Sequence, residues 1–249
     1  MVIQTLIAHL LPIACVFTAA FLQAITGFGL VIIAAPLLMF FYDPKLVVLM
    51  MVFLSLCSNT WQSIFVFRQA HHQTVFWMIA GALFGQPLGF FIYDAITPDG
   101  LRLFIGVLLL VSLIAMQTFK VKFSITPRNS AVTGAACGLM SITTGMGGPP
   151  LIMYTAYSDF TSSQIRATCI LFFFFNNIVS ISTYVVGGAD MAGAIEEAAW
   201  LLPGIVLGVG LGSYAFRHVS ALLFKRIIFA MLLGMCLYMI WQGLRPLIA

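Results

Sequence analysis

Apolar runs dominate the chain, and most of them have the length of a helix that crosses a bilayer, which is about 20 residues. Only 7% of the 249 residues are charged, and the mean hydropathy is +1.10. A soluble domain has about a quarter of its residues charged. The pattern therefore predicts an all-α integral membrane protein with eight hydrophobic segments. These segments lie near residues 3–42, 46–67, 74–94, 101–119, 129–158, 164–187, 194–216 and 222–244.

The first and fifth segments are longer than one crossing requires, and each contains a glycine-rich break. The first break is Thr26-Gly27-Phe28-Gly29, and the second is Gly145-Met146-Gly147-Gly148 followed by two prolines. A helix that ends in hydrocarbon leaves backbone groups unpaired, at a cost of several kcal/mol each. We therefore predict that these two segments are broken or re-entrant and that their ends face protein or a ligand. The other six segments fit one crossing each.

The two halves of the chain carry related sequences. An offset of 118 residues places Thr26-Gly27-Phe28-Gly29 over Thr144-Gly145-Met146-Gly147, and the same offset places Asn59 on Asn177. We interpret this as an internal duplication. It predicts two four-segment repeats, residues 1–122 and 123–249, within one integrated membrane domain.

Regularly spaced glycines add to the correspondence after a shift of five residues. Four-residue spacing aligns them on one helix face, where glycine lets two helices approach closely. For these glycines we therefore favour helix packing over ligand binding. They are Gly81, Gly85 and Gly89 in the first half and Gly204, Gly208 and Gly212 in the second.

The distribution of basic residues indicates how the segments are oriented. If segments one and five each cross once, the loops carry five basic residues on one side and six on the other. If each broken segment instead returns to its starting side, the division is eight against three. Basic residues concentrate in cytoplasmic loops, so the second arrangement is favoured. It makes the repeats inverted and places both termini on the non-cytoplasmic side.

The helices that resume after the breaks are the predicted anion-binding elements. The first runs from Gly29 through Tyr42, and the second from Gly148 through about Tyr157. A helix N-terminus presents free N–H groups and the positive end of the helix dipole. Two such ends, related by inversion, predict an anion site near the membrane midplane without a buried lysine or arginine. The alternative is that the break glycines serve only close packing.

Polar side chains near the breaks complete the predicted site. Asn59 and Asn177 either donate to the anion or bond a neighbouring helix. Four polar residues flank the breaks and either donate to the anion or cap the helix ends: Gln23, Ser141, Thr143 and Thr144. Gln86 either satisfies the backbone at a helix kink or takes part in the function. Phe28 and Met146, at matched positions, are predicted to gate the site. The predicted substrate-binding residues are Thr26, Gly27, Phe28, Gly29, Asn59, Thr144, Gly145, Met146, Gly147, Gly148 and Asn177.

Several chemistries are disfavoured by the sequence. All seven carboxylates lie near segment ends, so coupling through a buried carboxylate is disfavoured. No metal-binding or nucleotide-binding motif is present, and the five cysteines are interpreted as packing thiols. We therefore predict no cofactor, no metal, no nucleic-acid partner and no enzymatic activity.

The stretches QAITGFGLVIIAAPLL (23–38) and SITTGMGGPPLIMY (141–154) resemble the TauE/SafE (TSUP) family of sulfite exporters. The resemblance implies a multi-pass protein of the bacterial inner (plasma) membrane. Its partner would be a small organic or inorganic sulfur anion: sulfite, thiosulfate, a sulfonate or sulfoacetate. A passive anion channel and a membrane-embedded sulfur-handling enzyme are the alternatives, and a homodimer is left open.

Overall fold

The computed structural model describes residues 2–26, 30–118, 124–156, 158–215, 233–234 and 236–245, which form helices and no strand. Residues 236–245 are helical as well. The helices before them are α1 (Val2–Thr26), α2 (Leu30–Leu38), α3 (Pro44–Val66), α4 (His72–Ala95), α5 (Pro98–Thr118), α6 (Pro127–Thr144), α7 (Gly148–Ala156), α8 (Ser162–Val186), α9 (Met191–Ala199) and α10 (Leu202–Ala215). A short 3₁₀ helix, Phe67–Gln69, follows α3.

The predicted break of the fifth segment is confirmed. α6 ends at Thr144, and Gly145 adopts the left-handed region with φ of 74°, which glycine reaches without a Cβ penalty. α7 begins at Gly148, so Pro149 and Pro150 lie in its first turn, where their missing N–H groups leave no hydrogen bond unmade. Local backbone chemistry therefore ends one helix and starts the next.

The first segment also consists of two helices, one before and one after its glycine-rich stretch. α1 ends at Thr26 and α2 begins at Leu30, while Gly27, Phe28 and Gly29 lie outside the described residues. The prediction that α2 continues through Tyr42 is wrong, because α2 ends at Leu38. Four turn residues follow, and then Asp43 caps α3 by accepting a hydrogen bond from the Lys45 N–H. A residue before proline avoids helical backbone, so the chain must leave the helix before Pro44.

The seventh segment also contains a break, which the sequence analysis did not identify. α9 and α10 meet at an angle of 56° around Trp200 and Leu201. Pro203 is the second residue of α10, and its ring prevents a continuous helix through this point. The run near 194–216 is therefore a bent helix pair.

Within the part of the chain that the structure describes, three helical stretches are long and apolar enough to cross a membrane, and the bent α9–α10 pair makes a fourth if it counts as one span. The three are Pro44–Gln69, His72–Ala95 and Ser163–Val186. Large apolar side chains face outward, including Phe84 at 79% exposure and Phe91 at 70%. Such faces suit a lipid environment, because lipid is as apolar as these side chains. The fold is therefore that of an all-helical, multi-pass membrane protein.

Glycines bring two helix pairs into backbone contact. A Cβ placed on Gly85 of α4 would lie 2.0 Å from the carbonyl oxygen of Ala135 on α6. A Cβ on Gly208 of α10 would lie 2.6 Å from the carbonyl oxygen of Phe17 on α1. Neither position has room for a methyl group, so the packing interpretation of these glycines is confirmed.

The two interfaces use the same register. Ala135 lies 118 positions after Phe17, and the other glycine partners in the two interfaces differ by 118 positions as well. The α4–α6 contacts are Gly81 with Ala131, Gly85 with Ala135 and Gly89 with Leu139; the α10–α1 contacts are Gly204 with Ile13, Gly208 with Phe17 and Gly212 with Phe21. A helix of each half thus packs on the first helix of the other half.

Candidate functional site

A small cavity of about 30 Å³ lies where the two broken segments meet α3 and α8. Residues from both halves of the chain contribute to its wall, and none of them carries a formal charge. The lining residues are Gln23, Leu30, Val31, Ile32, Ser55, Asn59, Ser141, Gly145, Met146, Gly147, Gly148, Ile170, Phe173 and Asn177. Six of these residues, in addition to Asn59 and Asn177, were predicted as site residues or as flanking candidates: Gln23, Ser141, Gly145, Met146, Gly147 and Gly148.

Two asparagines and one serine join α3 to α8 at the cavity. The Nδ2 atoms of Asn59 and Asn177 both donate to Ser55 Oγ, at 3.1 and 3.0 Å. Asn59 and Asn177 are 1% and 4% exposed. Asn177 therefore bonds a neighbouring helix, as one alternative predicted, whereas Asn59 bonds a serine of its own helix. Ser55 was not predicted, although it precedes Asn59 by one helical turn and faces the same side.

Asn59 retains one atom without a partner. Its Oδ1 is buried and makes no hydrogen bond in the described part of the chain. An unsatisfied buried polar atom costs about 1–3 kcal/mol. Since the two ends of an amide have nearly the same shape, a half-turn about χ2 would direct the NH₂ group there instead, while Ser55 donates to Oδ1. The position can therefore serve as a donor when a ligand accepts.

A second pair of polar contacts flanks the asparagines. Ser58 Oγ donates to Gln23 Oε1 at 3.0 Å, and Asn176 Nδ2 donates to Ser141 Oγ at 3.0 Å. Ser58 and Asn176 were missed by the sequence analysis. The available signal was the offset, since Asn176 lies 118 positions after Ser58 and Ser141 lies 118 positions after Gln23.

At the break between α6 and α7, two backbone donors have no acceptor within the described ranges. The Gly145 N–H donates to the Ser141 carbonyl at 2.8 Å, and the Met146 N–H donates to Thr144 Oγ1 at 3.2 Å. The next two N–H groups, of Gly147 and Gly148, have no acceptor among the described residues, and both glycines line the cavity. The positive end of the α7 dipole is directed to the same place.

Two of the flanking threonines cap helices or join them. Thr144 Oγ1 donates to the Met140 carbonyl at 2.7 Å while it accepts from Met146, so it caps the end of α6. Thr143 Oγ1 donates to the carbonyl of Gly89 at 3.1 Å and joins α6 to α4. Neither residue lines the cavity. Thr144 therefore fits the capping alternative better than ligand binding, and Thr143 fits a contact between helices.

Gln86 has a structural position. Its Nε2 donates to Asn176 Oδ1 at 3.0 Å, and its Oε1 accepts from Thr183 Oγ1 at 3.2 Å. These bonds connect α4 to α8 behind the cavity.

The predicted gate is placed only in part: Met146 lines the cavity and is buried, whereas Phe28 lies outside the described residues, as does the side chain of Thr26.

A helix end, side-chain amides and the hydroxyl groups of Ser55 and Ser141 supply the polarity of the cavity. The described residues contain no group of His, Cys, Asp or Glu that could hold a metal ion. All five cysteines are free thiols, and none of them lines the cavity. An uncharged, dipole-lined site of this kind suits an anion.

Outward-facing apolar helices, broken segments and a buried polar cavity together define a multi-pass membrane protein with an internal site. The model of one family, described as "Sulfite exporter TauE/SafE", matches residues 12–243. The chain therefore belongs to the TauE/SafE family, whose members are membrane transporters rather than enzymes. Comparisons with curated proteins and with solved structures give no match.

Proposed function

We propose that the protein is a secondary transporter that carries a small sulfur-containing anion across the bacterial inner membrane by alternating access. The substrate class is sulfite, thiosulfate, a sulfonate or sulfoacetate. One observation carries the proposal: the free N–H groups of Gly147 and Gly148 face the same cavity as the unpaired amide atom of Asn59. Family membership supports the sulfur anion as the cargo.

The anion would be held by hydrogen bonds without a formal countercharge. Two backbone N–H groups at the start of α7 supply donors aligned with the helix dipole. Asn59 and Asn177 supply amide donors from the opposite wall once Ser55 turns its hydroxyl hydrogen toward Asn59. A site without a fixed charge binds an anion moderately, which allows the release that transport requires.

Two inverted repeats, residues 1–122 and 123–249, would provide the moving parts. The matched register of the α4–α6 and α10–α1 interfaces supports this arrangement, because each half packs on the other through equivalent positions. The cavity lies between the halves and is small, as expected for an occluded state. Rocking of one half against the other would open it to each side in turn, with Phe28 and Met146 as the gate. Both termini would lie outside the cytoplasm.

Counterflow into proteoliposomes tests this function. Labelled sulfite or thiosulfate is added outside, with unlabelled sulfonates, carboxylates or phosphate inside. We expect accumulation driven by an unlabelled sulfur anion. Uptake that rises linearly with concentration and shows no trans-stimulation would instead indicate a channel. Retained activity after replacement of all five cysteines would exclude a thiol-dependent enzyme.

The substitution Asn59→Asp tests the sign of the ligand's charge, because it changes charge with little change in shape. An anionic ligand predicts a loss of counterflow that deepens from pH 6 to pH 8, as the introduced carboxyl group ionises. Asn129→Asp, which lies outside the cavity at the start of α6, is the matched control. Equal activity of the two variants at both pH values would contradict the proposed site.

A further inference from the structure

The cavity-lining face of α8 continues to a cation. Ile170, Phe173 and Asn177 line the cavity, and Arg166 precedes them on the same face, at spacings of four, three and four residues. Arg166 lies eleven residues before Asn177, so the two backbones are about 16 Å apart along the helix axis. Arg166 is thus near the first turn of α8, at the N-terminal end of the face that lines the cavity, here called the mouth.

The Arg166 side chain is half-buried, and no hydrogen bond or ion pair joins it to another side chain among the described residues. Its Nε is buried without a hydrogen bond, and the ion pairs found within the described residues, His9 with Glu197 and Arg102 with Asp99, do not include it. A guanidinium group has five N–H donors, and an unpaired one in a membrane segment is expensive. Charged side chains in such segments commonly mark the path of an ion or substrate. An oxyanion would supply the missing acceptor.

We propose that Arg166 is an anion-docking site, at which the guanidinium group binds an oxyanion before the anion reaches the cavity. This inference rests on the proposed function. Parallel N–H groups of arginine match two oxygens of a small oxyanion. Helical side chains lean toward the N-terminus, which places the guanidinium group on the mouth side of its Cα. Ile170 and Phe173 then separate the docking site from Asn177.

The docking site has no equivalent in the first half of the chain. The position 118 residues before Arg166 is Val48, a fully buried apolar residue of α3. Lys45, the cation in the first turn of α3, already donates from its Nζ to the Asp94 carbonyl at 3.0 Å, whereas Arg166 Nε has no acceptor among the described residues. A cation with donors to spare at the α8 end favours loading from that face. In the proposed topology this face is cytoplasmic, so the arrangement favours export.

Initial rates of [³⁵S]thiosulfate transport, measured in inside-out and right-side-out vesicles, test the proposal. We expect Arg166→Gln to raise the half-saturation concentration about tenfold on the α8 N-terminal face and to leave the opposite face unchanged. Arg166→Lys, which keeps the charge but loses the two-point geometry, should recover part of the loss. Arg128→Gln is the charge-matched control, because Arg128 is an exposed arginine in the first turn of α6.

Each outcome decides the question. Equal effects of Arg166→Gln and Arg128→Gln, or equal effects on both faces, would overturn the docking site while wild-type counterflow still supports the transporter. If Arg166→Gln does not fold, Arg166→Lys alone must show the one-sided change. Because a lipid phosphate has the same chemistry, the assay is repeated in phosphatidylcholine vesicles with and without phosphatidylglycerol. An effect that appears only with phosphatidylglycerol would assign Arg166 to lipid and overturn the proposal.

Discussion

The two walls of the cavity make the same contact with residues of exchanged size. On the first wall, the long side chain of Gln23 on α1 meets the short Ser58 on α3. On the second wall, the short Ser141 on α6 meets the longer Asn176 on α8. The positions correspond at 118 residues, and the contact distance is 3.0 Å in both. The two walls therefore share a hydrogen bond between matched positions, although the residues that form it differ.

At a neighbouring pair of matched positions the two walls carry unlike residues, with no exchange of sizes to restore the contact. Ser55 on α3 accepts hydrogen bonds from both asparagines, whereas the position 118 residues later is Phe173, which contributes an aromatic ring to the cavity wall. At this pair of matched positions the first wall is therefore polar and the second apolar. The Phe173 ring takes up space at the cavity wall that a serine would leave open.

The largest expected effect concerns the backbone contacts between the halves. Gly85→Ala places a methyl group 2.0 Å from a carbonyl oxygen of α6, and Gly208→Ala places one 2.6 Å from a carbonyl oxygen of α1. We expect both to lower the melting temperature in detergent, with Gly85→Ala worse, because overpacking costs about 1–3 kcal/mol or more. Gly210→Ala, which meets no atom within 4 Å, is the control. Equal melting temperatures for Gly85→Ala and Gly210→Ala would contradict the close packing.

The shared acceptor between the walls is the next test. Ser55→Ala leaves the NH₂ groups of Asn59 and Asn177 without their acceptor, and each loss costs about 1–3 kcal/mol. We expect lower thermal stability together with loss of counterflow. Ser112→Ala is the matched control, since buried Ser112 donates only to the carbonyl of Leu108 on its own helix. Similar results for the two variants would show that Ser55 does not organise the asparagines.

A double-mutant cycle tests the exchange of sizes. Gln23→Ser and Ser58→Asn, taken together, rebuild on the first wall the pair found on the second. Each single substitution should destabilise the protein, and the double variant should recover about 0.5–3 kcal/mol of that loss, as contacting residues do. Thermal unfolding of the four proteins measures the coupling. Additive effects would show that the two walls are not interchangeable.

The smallest effect is expected on selectivity. Phe173→Ser gives the second wall the residue of the first and enlarges the cavity. We expect larger organic sulfonates to compete better against labelled sulfite, by about tenfold or less, because pocket size discriminates weakly. Phe175→Ser, at an exposed position of the same helix, is the control. An unchanged competition profile would remove Phe173 from the determinants of selectivity.

Much of the architecture could be predicted because it depends on local rules. Hydropathy predicts helices in lipid, and the Gly145–Pro150 stretch predicts a helix end followed by a helix start, since glycine and proline act on their own backbone. The same rules apply to Pro203, yet the bend at Trp200 and Leu201 was missed because the run around it is apolar throughout. Hydropathy measures the environment of a segment and not its continuity.

The polar interior was decided by tertiary structure. The sequence by itself determined the membrane class and the break in the fifth segment. It also singled out Asn59, Asn177, Gly147 and Gly148 as candidates for the site. Only the packing of helices determined that Ser55 accepts from both asparagines and that Thr144 caps its helix instead of lining the cavity. It also determined that the N–H groups of Gly147 and Gly148 find no acceptor among the residues that the structure describes. The reason is that a hydrogen bond between helices depends on the partner that the other helix presents, and this partner is not encoded by spacing along one segment.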